Sequence, residues 1–460
     1  MEQIAARLDD ALRLLQGSSR SAPVRHQTLQ AAIDSSHQLL SEEERALFRR
    51  LSVFAGGFTL EAAEAACSEP AAAHSDVLDL LSRLLDQSLV MPVEREHHVE
   101  ARYRLLETVR QYGSEKLRSA GEREVILEQH AQYFMGRAEQ AAREFKGRDQ
   151  VAWIECLEQD NANLRAALSW SLERGAVDVG LRLAGALWRF WFARGYLAEG
   201  RDWLTRLLAQ AGPPAFTPAY AQATYGAGVI AWRQGDYAVA RALGEQSLAI
   251  FQTLEDGEGI GLSLVALANV SGAQGDSAAQ HAYLEESLAL FREMGDQSGA
   301  AAALNNLGEL ARFEGDYATA RRCYSESLAL YQGLGNVNGT ALVLHNLAHV
   351  VQHEGDHRHA ARLFHDSLVK YQALGHPGGI AMCLAAAAGL AAVRGQYVRA
   401  ARLSGTAASA YKAVGATMDG ADRVAHDRYM ADVRKQLSDE AFAAACAEGR
   451  GMSVDQAAQE

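Results

Sequence analysis

Lysine is scarce in this chain of 460 residues, and its scarcity excludes one kind of site. A phosphate-binding loop that ends in Gly-Lys-Ser/Thr needs its lysine to reach the β- and γ-phosphates of a nucleotide. None of the five lysines follows a glycine: Lys116, Lys146, Lys370, Lys412 and Lys435. The sequence therefore excludes ATP binding of this kind by the chain itself, and we expect no cofactor in it.

Cysteine pairs, long apolar runs and a targeting segment are lacking as well. The five cysteines lie far apart without a Cys-x-x-Cys spacing, which is typical of buried thiols in a reducing compartment. No run approaches about 18 apolar residues, so no transmembrane helix is predicted. The first four residues lack the charged and apolar regions of a signal peptide. These absences predict a cytoplasmic protein that does not bind membranes.

A basic surface is also missing. The chain has 57 Asp and Glu against 44 Lys and Arg, and a protein that binds nucleic acid through its general charge needs the opposite balance. No Gly-x-Ser-x-Gly or paired-carboxylate motif stands out. We therefore expect neither enzymatic activity nor a direct nucleic-acid partner.

A repeat of 40 residues dominates the second half of the chain. Glycine returns with this period at Gly195, Gly235, Gly275, Gly315, Gly355 and Gly395. Ser-Leu pairs return at Ser247, Ser287, Ser327 and Ser367, and an aromatic residue closes each unit at Phe251, Phe291, Tyr331, Tyr371 and Tyr411. Such fixed-period similarity indicates stacked supersecondary units, which build an extended surface for another molecule.

Each unit reads as a pair of helices. In the third complete unit we predict one helix over Ala300–Phe313 and a second over Tyr317–Leu334. Gly315 lies at the corner, where a positive φ is needed, and Asp316 can cap the second helix. The spacing of small and aromatic residues is similar to that of the tetratricopeptide (TPR) motif, lengthened from its usual period of about 34 residues.

The N-terminal third of the chain has a different pattern, in which helical segments are followed by strand-like runs. Ser41 and Glu44 form a capping box at the start of a helix, further helical segments follow, and two short strand-like runs, 88–93 and 101–106, are separated by a polar segment, 94–100. Helices followed by a β-hairpin predict a winged helix with residues 94–100 as its wing. Because this region is acidic, we interpret it as a structural module, with DNA binding as the alternative.

Several segments resemble the bacterial STAND-type signalling ATPases, and most closely the regulators of the SARP and LuxR type with MalT-like repeats. The segments are residues 25–29, 40–44, 48–58, 84–89, 103–107 and 160–165, among which Phe54-Ala55-Gly56-Gly57-Phe58 is fairly specific. In that family a nucleotide-binding domain precedes the winged helix and a TPR superhelix follows it. The resemblance thus implies ATP or ADP only for an upstream domain, of which residues 1–22 would be a remnant helix.

One departure from the family concerns nucleotide sensing. Many such winged helices carry a His-Asp pair that senses the nucleotide, and Leu106-Glu107 stand there instead. The predicted domains are a remnant helix (1–22), a winged helix (23–118), a helical linker (119–180), about six TPR-like repeats (181–420) and a helical cap (421–460). The predicted fold class is all-α: a TPR-like α-solenoid preceded by a small winged-helix domain.

The TPR pattern also predicts which side chains line the concave face. Carried over unit by unit, it gives Tyr225, Trp232, Asn269, Asn305, Glu309, Arg312, His345, His349, Gln352 and His353. The middle of the stack is then its most polar inner surface and the candidate site for a partner. We interpret the aromatic patch that opens the repeats as core rather than as a ligand cage: Trp188, Phe190, Trp191, Phe192 and Trp203.

A ladder of histidines lies within that surface. His345, His349 and His353 recur at four-residue spacing, and two histidines at i and i+4 can share a metal ion. We interpret the ladder as polar inner-surface residues and predict no metal, with a metal or proton sensor as the alternative.

The function predicted from these features is regulatory. The repeats capture a protein or small-molecule inducer, and the winged helix relays occupancy to a nucleotide-binding domain in the same polypeptide or on a partner. Ligand-dependent oligomerisation fits this scheme. The alternatives are a stand-alone TPR scaffold for protein interaction and a regulator that binds DNA through the winged helix.

Overall fold

Helices and one small sheet make up the regular structure in the computed structural model, which describes residues 24–67, 75–93, 100–418, 420–453 and 456–457. The predicted remnant helix at 1–22 and the wing residues 94–99 lie outside the described residues. The chain divides into two units. The first, residues 1–137 and 158–174, is the winged-helix unit, and the second, residues 138–157 and 175–460, is the repeat unit.

Short helices and three short strands form the winged-helix unit. In chain order they are α1 (Val24–Gln38), α2 (Glu42–Leu51), β1 (Phe58–Thr59), α3 (Leu60–Cys67), α4 (Ser75–Asp86), β2 (Met91–Pro92), β3 (Arg102–Arg104) and α5 (Glu107–Ser119). Parts of α6 (Arg123–Glu144) and α7 (Gln150–Arg174) complete it. The sheet has the order β1-β3-β2 and is antiparallel, so the predicted hairpin is confirmed.

The start of α2 follows from its capping box. The Ser41 backbone N–H donates to Glu44 Oε2 at 2.8 Å, and the Glu44 N–H donates to Ser41 Oγ at 3.2 Å, which satisfies two otherwise orphaned amides. The helix buries Leu47, Phe48 and Leu51 on one face. The strand β1 was not predicted because it has only two residues. Thr59 Oγ1 accepts a hydrogen bond from the Ala62 N–H at 3.2 Å at the start of α3.

Two of the segments that carry the family resemblance, residues 48–58 and 160–165, pack against each other. Asn163 on α7 donates from Nδ2 to the Gly57 carbonyl and accepts from the Ala55 N–H, each at 2.7 Å. A Cβ at Gly56, where φ is +148°, would lie 3.1 Å from Ala162 Cβ. The close approach to α7 and the positive φ therefore favour glycine at position 56, and a Cβ at Gly57 would lie 3.1 Å from the Tyr103 carbonyl oxygen of β3.

Paired helices form the repeat unit. The pairs are α8 (Val177–Arg194) with α9 (Leu197–Ala211), α10 (Pro218–Arg233) with α11 (Tyr237–Thr253), α12 (Gly257–Ala273) with α13 (Ser277–Met294), α14 (Gln297–Glu314) with α15 (Tyr317–Leu334), α16 (Val337–His353) with α17 (His357–Ala373), and α18 (Pro377–Val393) with α19 (Tyr397–Val414). Two further helices follow, α20 (Gly420–Gln436) and α21 (Asp439–Gly451). The predicted all-α solenoid with a winged helix in front is confirmed.

The corner of each pair has the predicted geometry. Gly315 and Gly355 have φ values of +85° and +90°, a region that side chains with a Cβ rarely adopt. Asp316 then accepts a hydrogen bond from the Thr319 N–H at 3.0 Å, which caps the second helix. The 40-residue period of the sequence therefore marks a helix-to-helix turn that has the same backbone geometry in each pair.

In three of the four Ser-Leu pairs the serine joins the two helices of a unit; Ser247 donates to the Gly244 carbonyl of its own helix instead. Ser287 Oγ donates to the Gly261 carbonyl at 3.0 Å, and Ser327 Oγ donates to the Ala301 carbonyl at 2.7 Å. All these serines are fully buried, so each hydroxyl needs the partner that it finds. The serine is a fixed contact between helices, 26 residues along the chain from its acceptor.

The repeated aromatic residue packs on a glycine at the start of the next pair. A Cβ at Gly299 would lie 2.2 Å from the Phe291 ring, and one at Gly339 would lie 2.5 Å from the Tyr331 ring. No side chain fits between these helices at that point. This second glycine series, at Gly259, Gly299, Gly339 and Gly379, completes the periodic framework.

The repeat unit also closes on its own beginning. Gln150 Nε2 donates to Asn336 Oδ1 at 3.1 Å, and the Asn338 N–H donates to Gln150 Oε1 at 2.9 Å. Further along, the Thr417 N–H donates to the Arg233 carbonyl at 3.2 Å. The inner surface is therefore a cavity with walls from early and late pairs, and not an open groove.

Candidate ligand cavity and histidine cluster of the repeat unit

Two adjoining cavities of 310 and 260 Å³ lie along the inner surface. The first helix of each pair supplies most of their walls. Residues that line both cavities are Phe192, Trp232, Asn269, Ala302, Tyr331, Asn338, Leu342 and His376. Because they share these residues, the cavities form one continuous region, whose size is in the range of small-molecule sites.

The larger cavity is mostly apolar, and several aromatic rings line it. Its walls include Trp188, Phe192, Tyr225, Trp232 and Tyr331. The aromatic patch predicted as core is therefore divided: Phe190 and Trp191 are fully buried between helices, while Trp188 and Phe192 face the cavity. Aromatic walls favour a ligand with an apolar or aromatic body.

Three of the four charged side chains of this cavity have partners. Lys146 Nζ lies 2.5 Å from Glu258 Oε1. Asp296 accepts hydrogen bonds from the Ser298 and Gly299 N–H groups as the cap of α14. The fourth charged residue, Arg189, has no hydrogen bond or ion pair from any residue that the structure describes.

The Arg189 guanidinium therefore lies beside the apolar walls of the cavity. Its guanidinium carbon lies 4.4 Å from the centroid of the neighbouring Trp188 ring. Burial lowers the pKa of the Arg189 guanidinium, against the opposing influence of Tyr225 and Glu258, but arginine stays charged at neutral pH. A half-buried charge that faces an apolar cavity without an ion-pair partner is poorly stabilised, so this side chain is disposed to bind an anion.

Amide groups complete the polar part of the cavity. Asn269 faces both cavities, and Asn338 Oδ1 is buried without a hydrogen-bond partner. His376 is neutral there, because burial and the nearby Arg233 lower its pKa to about 3. The cavity thus offers one cation and neutral hydrogen-bonding groups within aromatic walls.

The smaller cavity is the more polar of the two. Asn305 and Glu309 of α14 line it, together with Arg233 and Gln280. Asn305 Oδ1 accepts from Asn346 Nδ2 at 2.9 Å, so this asparagine is held by the next pair. The start of α20 closes the cavity through Gly420 and Ala421.

A buried histidine cluster lies beyond the smaller cavity. His345 and His349 of α16 have their Nε2 atoms 3.2 Å apart. Asp422 of α20 places Oδ2 3.0 Å from His345 Nε2 and Oδ1 3.6 Å from His349 Nε2. Arg312 of α14 donates to Asp422 Oδ1 at 2.7 Å.

The charges of this cluster follow from its contacts. Burial opposes ionisation of Asp422, but Arg312 and His345 outweigh it and hold the pKa of the carboxyl well below its usual range. Burial also lowers the pKa of His349 well below its usual value, although Asp422 opposes this. Asp422 is therefore ionised and His349 neutral at pH 7.

The structure separates the predicted site residues into three places. Tyr225, Trp232, Asn269, Asn305 and Glu309 line the cavities. His345, His349 and Arg312 belong to the cluster around Asp422, and Gln352 is buried with neither amide atom hydrogen-bonded. His353 is exposed and stacks on Tyr317, with ring centroids 3.6 Å apart.

Two predictions are revised by these positions. Arg312 is not a free inner-surface charge, because its ion pair with Asp422 is buried. His353 does not continue the ladder, because it lies at the end of α16 against α15. It begins a His-Glu-x-x-His string, residues 353–357, but Gly355 turns the chain so that His357 starts α17. The two histidines of that string therefore do not share one helix face, as a metalloprotease needs.

Three residues of the candidate cavity and cluster were missed from the sequence. Arg189 lies inside the aromatic patch that was interpreted as core, and a lone cation in such a patch was the available signal. Asn338 follows the Asn336 cap by two residues and has no distinctive spacing. Asp422 lies in the aperiodic C-terminal segment, where no repeat pattern applies.

The charge of α4 in the winged-helix unit does not suit DNA recognition. After α2 and α3, α4 is the helix that would read the major groove in a DNA-binding winged helix. Arg83 is its only basic residue, against Asp76, Asp79 and Asp86. Arg83 also lies 3.6 Å from Glu44, so its charge is partly used within the protein.

Comparison with known proteins supports both parts of the fold. Residues 40–118 match the model of a winged helix-turn-helix domain, and residues 220–293 and 299–373 match tetratricopeptide repeats. The chain carries a winged helix-turn-helix domain followed by TPR repeats. Among the described residues, no helix has both the length and the apolar character to cross a membrane.

The curated relatives are mycobacterial. The chain is 43% identical over 206 residues to a Mycobacterium tuberculosis protein named as an HTH-type transcriptional regulator, and equally to one from Mycobacterium bovis. The match covers 45% of this chain but 23% of the relative. An uncharacterized M. tuberculosis protein is 39% identical over 132 residues, 28% of this chain and 33% of that protein. The chain thus spans about a quarter to a third of the relatives it matches.

Solved structures share the helical repeats at low similarity. One is a signal transduction ATPase with numerous domains (STAND) and a tetratricopeptide repeat sensor from Pyrococcus horikoshii, with a TM-score of 0.46, 14% identity and coverage of 94% of this chain and 65% of that one. Another is a Rap protein complexed with competence and sporulation factor, with a TM-score of 0.43, 13% identity and coverage of 70% and 99%. At these scores the likeness is limited to the arrangement of helices.

Proposed function

We propose that this chain is the ligand-sensing part of a transcriptional regulator, and that its inner cavity binds a small carboxylate with an apolar or aromatic body. The observation that supports this most is Arg189, the charged side chain of the cavity that has no partner within the described residues. A ligand carboxylate would supply the missing anion. Asn269 and Asn338 would orient its polar groups, and the aromatic walls would bury the remainder.

Signalling requires that the ligand prefer one arrangement of the protein. A ligand shifts an equilibrium only by the difference between its affinities for the two states. The walls come from early and late pairs of the stack, including Trp232 of α10 and Leu342 of α16. A ligand that contacts both would favour the closed form of the unit. We propose that the winged helix relays this closure to a nucleotide-binding domain in cis or in trans, and that the chain itself has no enzymatic activity.

A binding assay with matched probes tests the carboxylate. The thermal shift of the full chain would be measured with small aromatic acids and their primary amides, such as phenylacetic acid and phenylacetamide. A charged hydrogen bond contributes about 1.5–3 kcal/mol, so we expect acids to bind about 10- to 100-fold more tightly than amides. Arg189→Met should abolish this preference.

Arg206→Met is the matched control. Arg206 also lies over a tryptophan ring, at 5.2 Å from the Trp203 centroid, but on the exposed side of α9. This variant should retain the preference for acids. Equal binding of acids and amides by the wild type, or an acid preference that survives in Arg189→Met, would reject the proposed ligand class.

DNA binding remains the second candidate function, because of the winged helix-turn-helix match and the name of the mycobacterial relatives. Contacts with phosphates would make the affinity fall steeply with salt. Fluorescence anisotropy of a labelled duplex with the full chain, at two salt concentrations, measures this. From the acidic α4 we expect no salt-dependent binding, and a clear salt-dependent affinity would establish the second function instead.

A further inference from the structure

The histidine cluster has the geometry of a metal site. Three potential ligand atoms converge, His345 Nε2, His349 Nε2 and an Asp422 oxygen, and among the described residues this is the group of His, Cys, Asp or Glu side chains that does so. Ligands bound at about 2.0–2.2 Å in a tetrahedral arrangement lie roughly 3.3 Å from one another. His345 Nε2 lies 3.0 Å from Asp422 Oδ2 and 3.2 Å from His349 Nε2, both close to that value, and His349 Nε2 lies 3.6 Å from the other carboxylate oxygen, Oδ1.

Hydrogen bonding alone satisfies the cluster poorly. Two imidazole nitrogens 3.2 Å apart need one proton between them. His345 Nε2 also faces Asp422 Oδ2 at 3.0 Å, and a single N–H at this atom cannot point at both neighbours. One ion among the three atoms would contact all of them without a proton.

The surroundings suit a bound ion. Arg312 holds Asp422 through Oδ1 at 2.7 Å, which leaves Oδ2 for the ion, and metal-binding carboxylates are commonly held by such second contacts. The rings of His345 and His349 both pack on Phe364, with centroids 5.3 and 5.0 Å away. A cavity of 10 Å³ adjoins the three residues, about the space that one water molecule needs as a fourth ligand.

We propose that His345, His349 and Asp422 bind one divalent first-row transition metal ion, of which Zn²⁺ is the first to test. Two imidazoles and one carboxylate favour this class over Mg²⁺ or Ca²⁺, which prefer oxygen ligands. The histidines lie on α16 and the aspartate on α20. The ion would therefore fasten α20 to the inner wall, next to the residues of α20 that close the smaller cavity.

Metal retention by the full-length, untagged chain tests this site. The protein would be stripped with a chelator, loaded with Zn²⁺, desalted and analysed for metal content. We expect one Zn²⁺ per chain in the wild type. Loss of the ion is expected in Asp422→Asn and in the double variant His345→Ala/His349→Ala. Loading with Co²⁺ should give the visible absorption of a tetrahedral ion, which a loosely bound surface ion does not.

A second histidine group serves as the matched control. His353, His357 and His359 lie at the neighbouring turn, and the triple variant His353→Ala/His357→Ala/His359→Ala should retain the ion. Zn²⁺ should also raise the melting temperature of the wild type and of this triple variant, but not that of Asp422→Asn. The Asn variant keeps the size of the side chain, and a circular dichroism spectrum like that of the wild type shows that it folds.

Two results would overturn the proposal. One is a wild type that retains no Zn²⁺ after desalting, which would leave the cluster as a hydrogen-bonded ion pair. The other is a wild type whose ion is lost in the triple variant and kept in Asp422→Asn, which would place the metal at the surface turn. Either result leaves the carboxylate proposal untouched, because that proposal depends on Arg189 and its acid preference.

Discussion

The residues between the helices of the repeat unit and the residues on its inner surface differ in how they recur along the sequence. Between the helices, the same residue types return every 40 positions: the corner glycine, the serine that bonds to a carbonyl, and the aromatic ring that covers a glycine. On the inner surface the polar and charged residues do not return with this period. Arg189, Asn269, Glu309 and His345 differ in size, charge and partner. Periodic positions therefore build the stack of helices, whereas aperiodic positions determine the polar and charged groups that line its inner cavity.

The largest expected effect comes from breaking the periodic framework. Phe291 is fully buried between two pairs, and its replacement by alanine removes the ring and leaves a cavity. We expect Phe291→Ala to lower the free energy of unfolding by about 3–5 kcal/mol. Chemical denaturation followed by circular dichroism measures this. A loss below about 1 kcal/mol would contradict the framework role.

The matched change on the inner surface should behave differently. Trp232 is as large but is partly exposed to both cavities. We expect Trp232→Ala to cost clearly less stability than Phe291→Ala while weakening binding of the carboxylate probe. Equal losses of stability would remove the distinction between the framework and the inner surface.

One position of the periodic framework carries an unusual capping residue, His376. His376 caps α18, where Nδ1 accepts the Gly379 N–H at 3.0 Å, and Asn336 makes the same contact 40 residues earlier. Burial and Arg233 lower the pKa of His376 to about 3, well below its usual value of 6.5, so the unfolded state binds the proton more readily. The stability due to neutral His376 is present above pH 6.5 and is lost as the pH falls toward 3.

The variant His376→Asn isolates this effect because it keeps the cap and removes the titration. We expect the wild type to lose on the order of 2–3 kcal/mol more than the variant between pH 7 and pH 4. Denaturation midpoints at pH 7, 5.5 and 4 give the comparison. Parallel pH profiles for the two proteins would show that His376 is accessible to protons when folded.

A glycine pair provides a smaller contrast. A Cβ at Gly299 would lie 2.2 Å from the Phe291 ring, whereas a Cβ at Gly333 has no neighbour within 4 Å. We expect Gly299→Ala to destabilise the repeat unit by about 1–3 kcal/mol through overpacking. Gly333→Ala should stabilise it by about 0.5–1 kcal/mol, because glycine is the poorer helix former. Melting temperatures that move in the same direction would mean that the helices separate easily at Gly299.

The framework could be predicted from the sequence because it repeats. The helix pair around Gly315 was predicted to within three residues at each end, since the corner glycine and its capping aspartate mark the turn. The winged helix followed from the capping box and the hairpin, whereas β1 was too short to give a pattern. Local periodicity carries this information without knowledge of distant contacts.

The site could be predicted only in part. Tyr225, Trp232 and Asn269 have positions that the TPR pattern assigns to the inner face, and they line the cavity. The pairing of Arg312 with Asp422 joins residues 110 positions apart, through a helix outside the repeat. No spacing in the sequence encodes such a contact, because it depends on how the stack closes. The position of Arg189 beside the cavity could not be predicted for the same reason, because the closure of the stack decides which residues of the aromatic patch face a cavity.

The most direct measurement is the free energy of unfolding of Arg189→Met beside that of the wild type, both without ligand. Methionine keeps the aliphatic stem and removes a charge that has no hydrogen-bond or ion-pair partner among the described residues, together with its contact to the Trp188 ring. Replacing such a charge by an apolar group of similar length is expected to be neutral or stabilising. We therefore predict a variant as stable as the wild type, or up to about 2 kcal/mol more stable, that no longer prefers acids to amides. A variant that loses more than about 1 kcal/mol would contradict the account, because Arg189 would then belong to the framework.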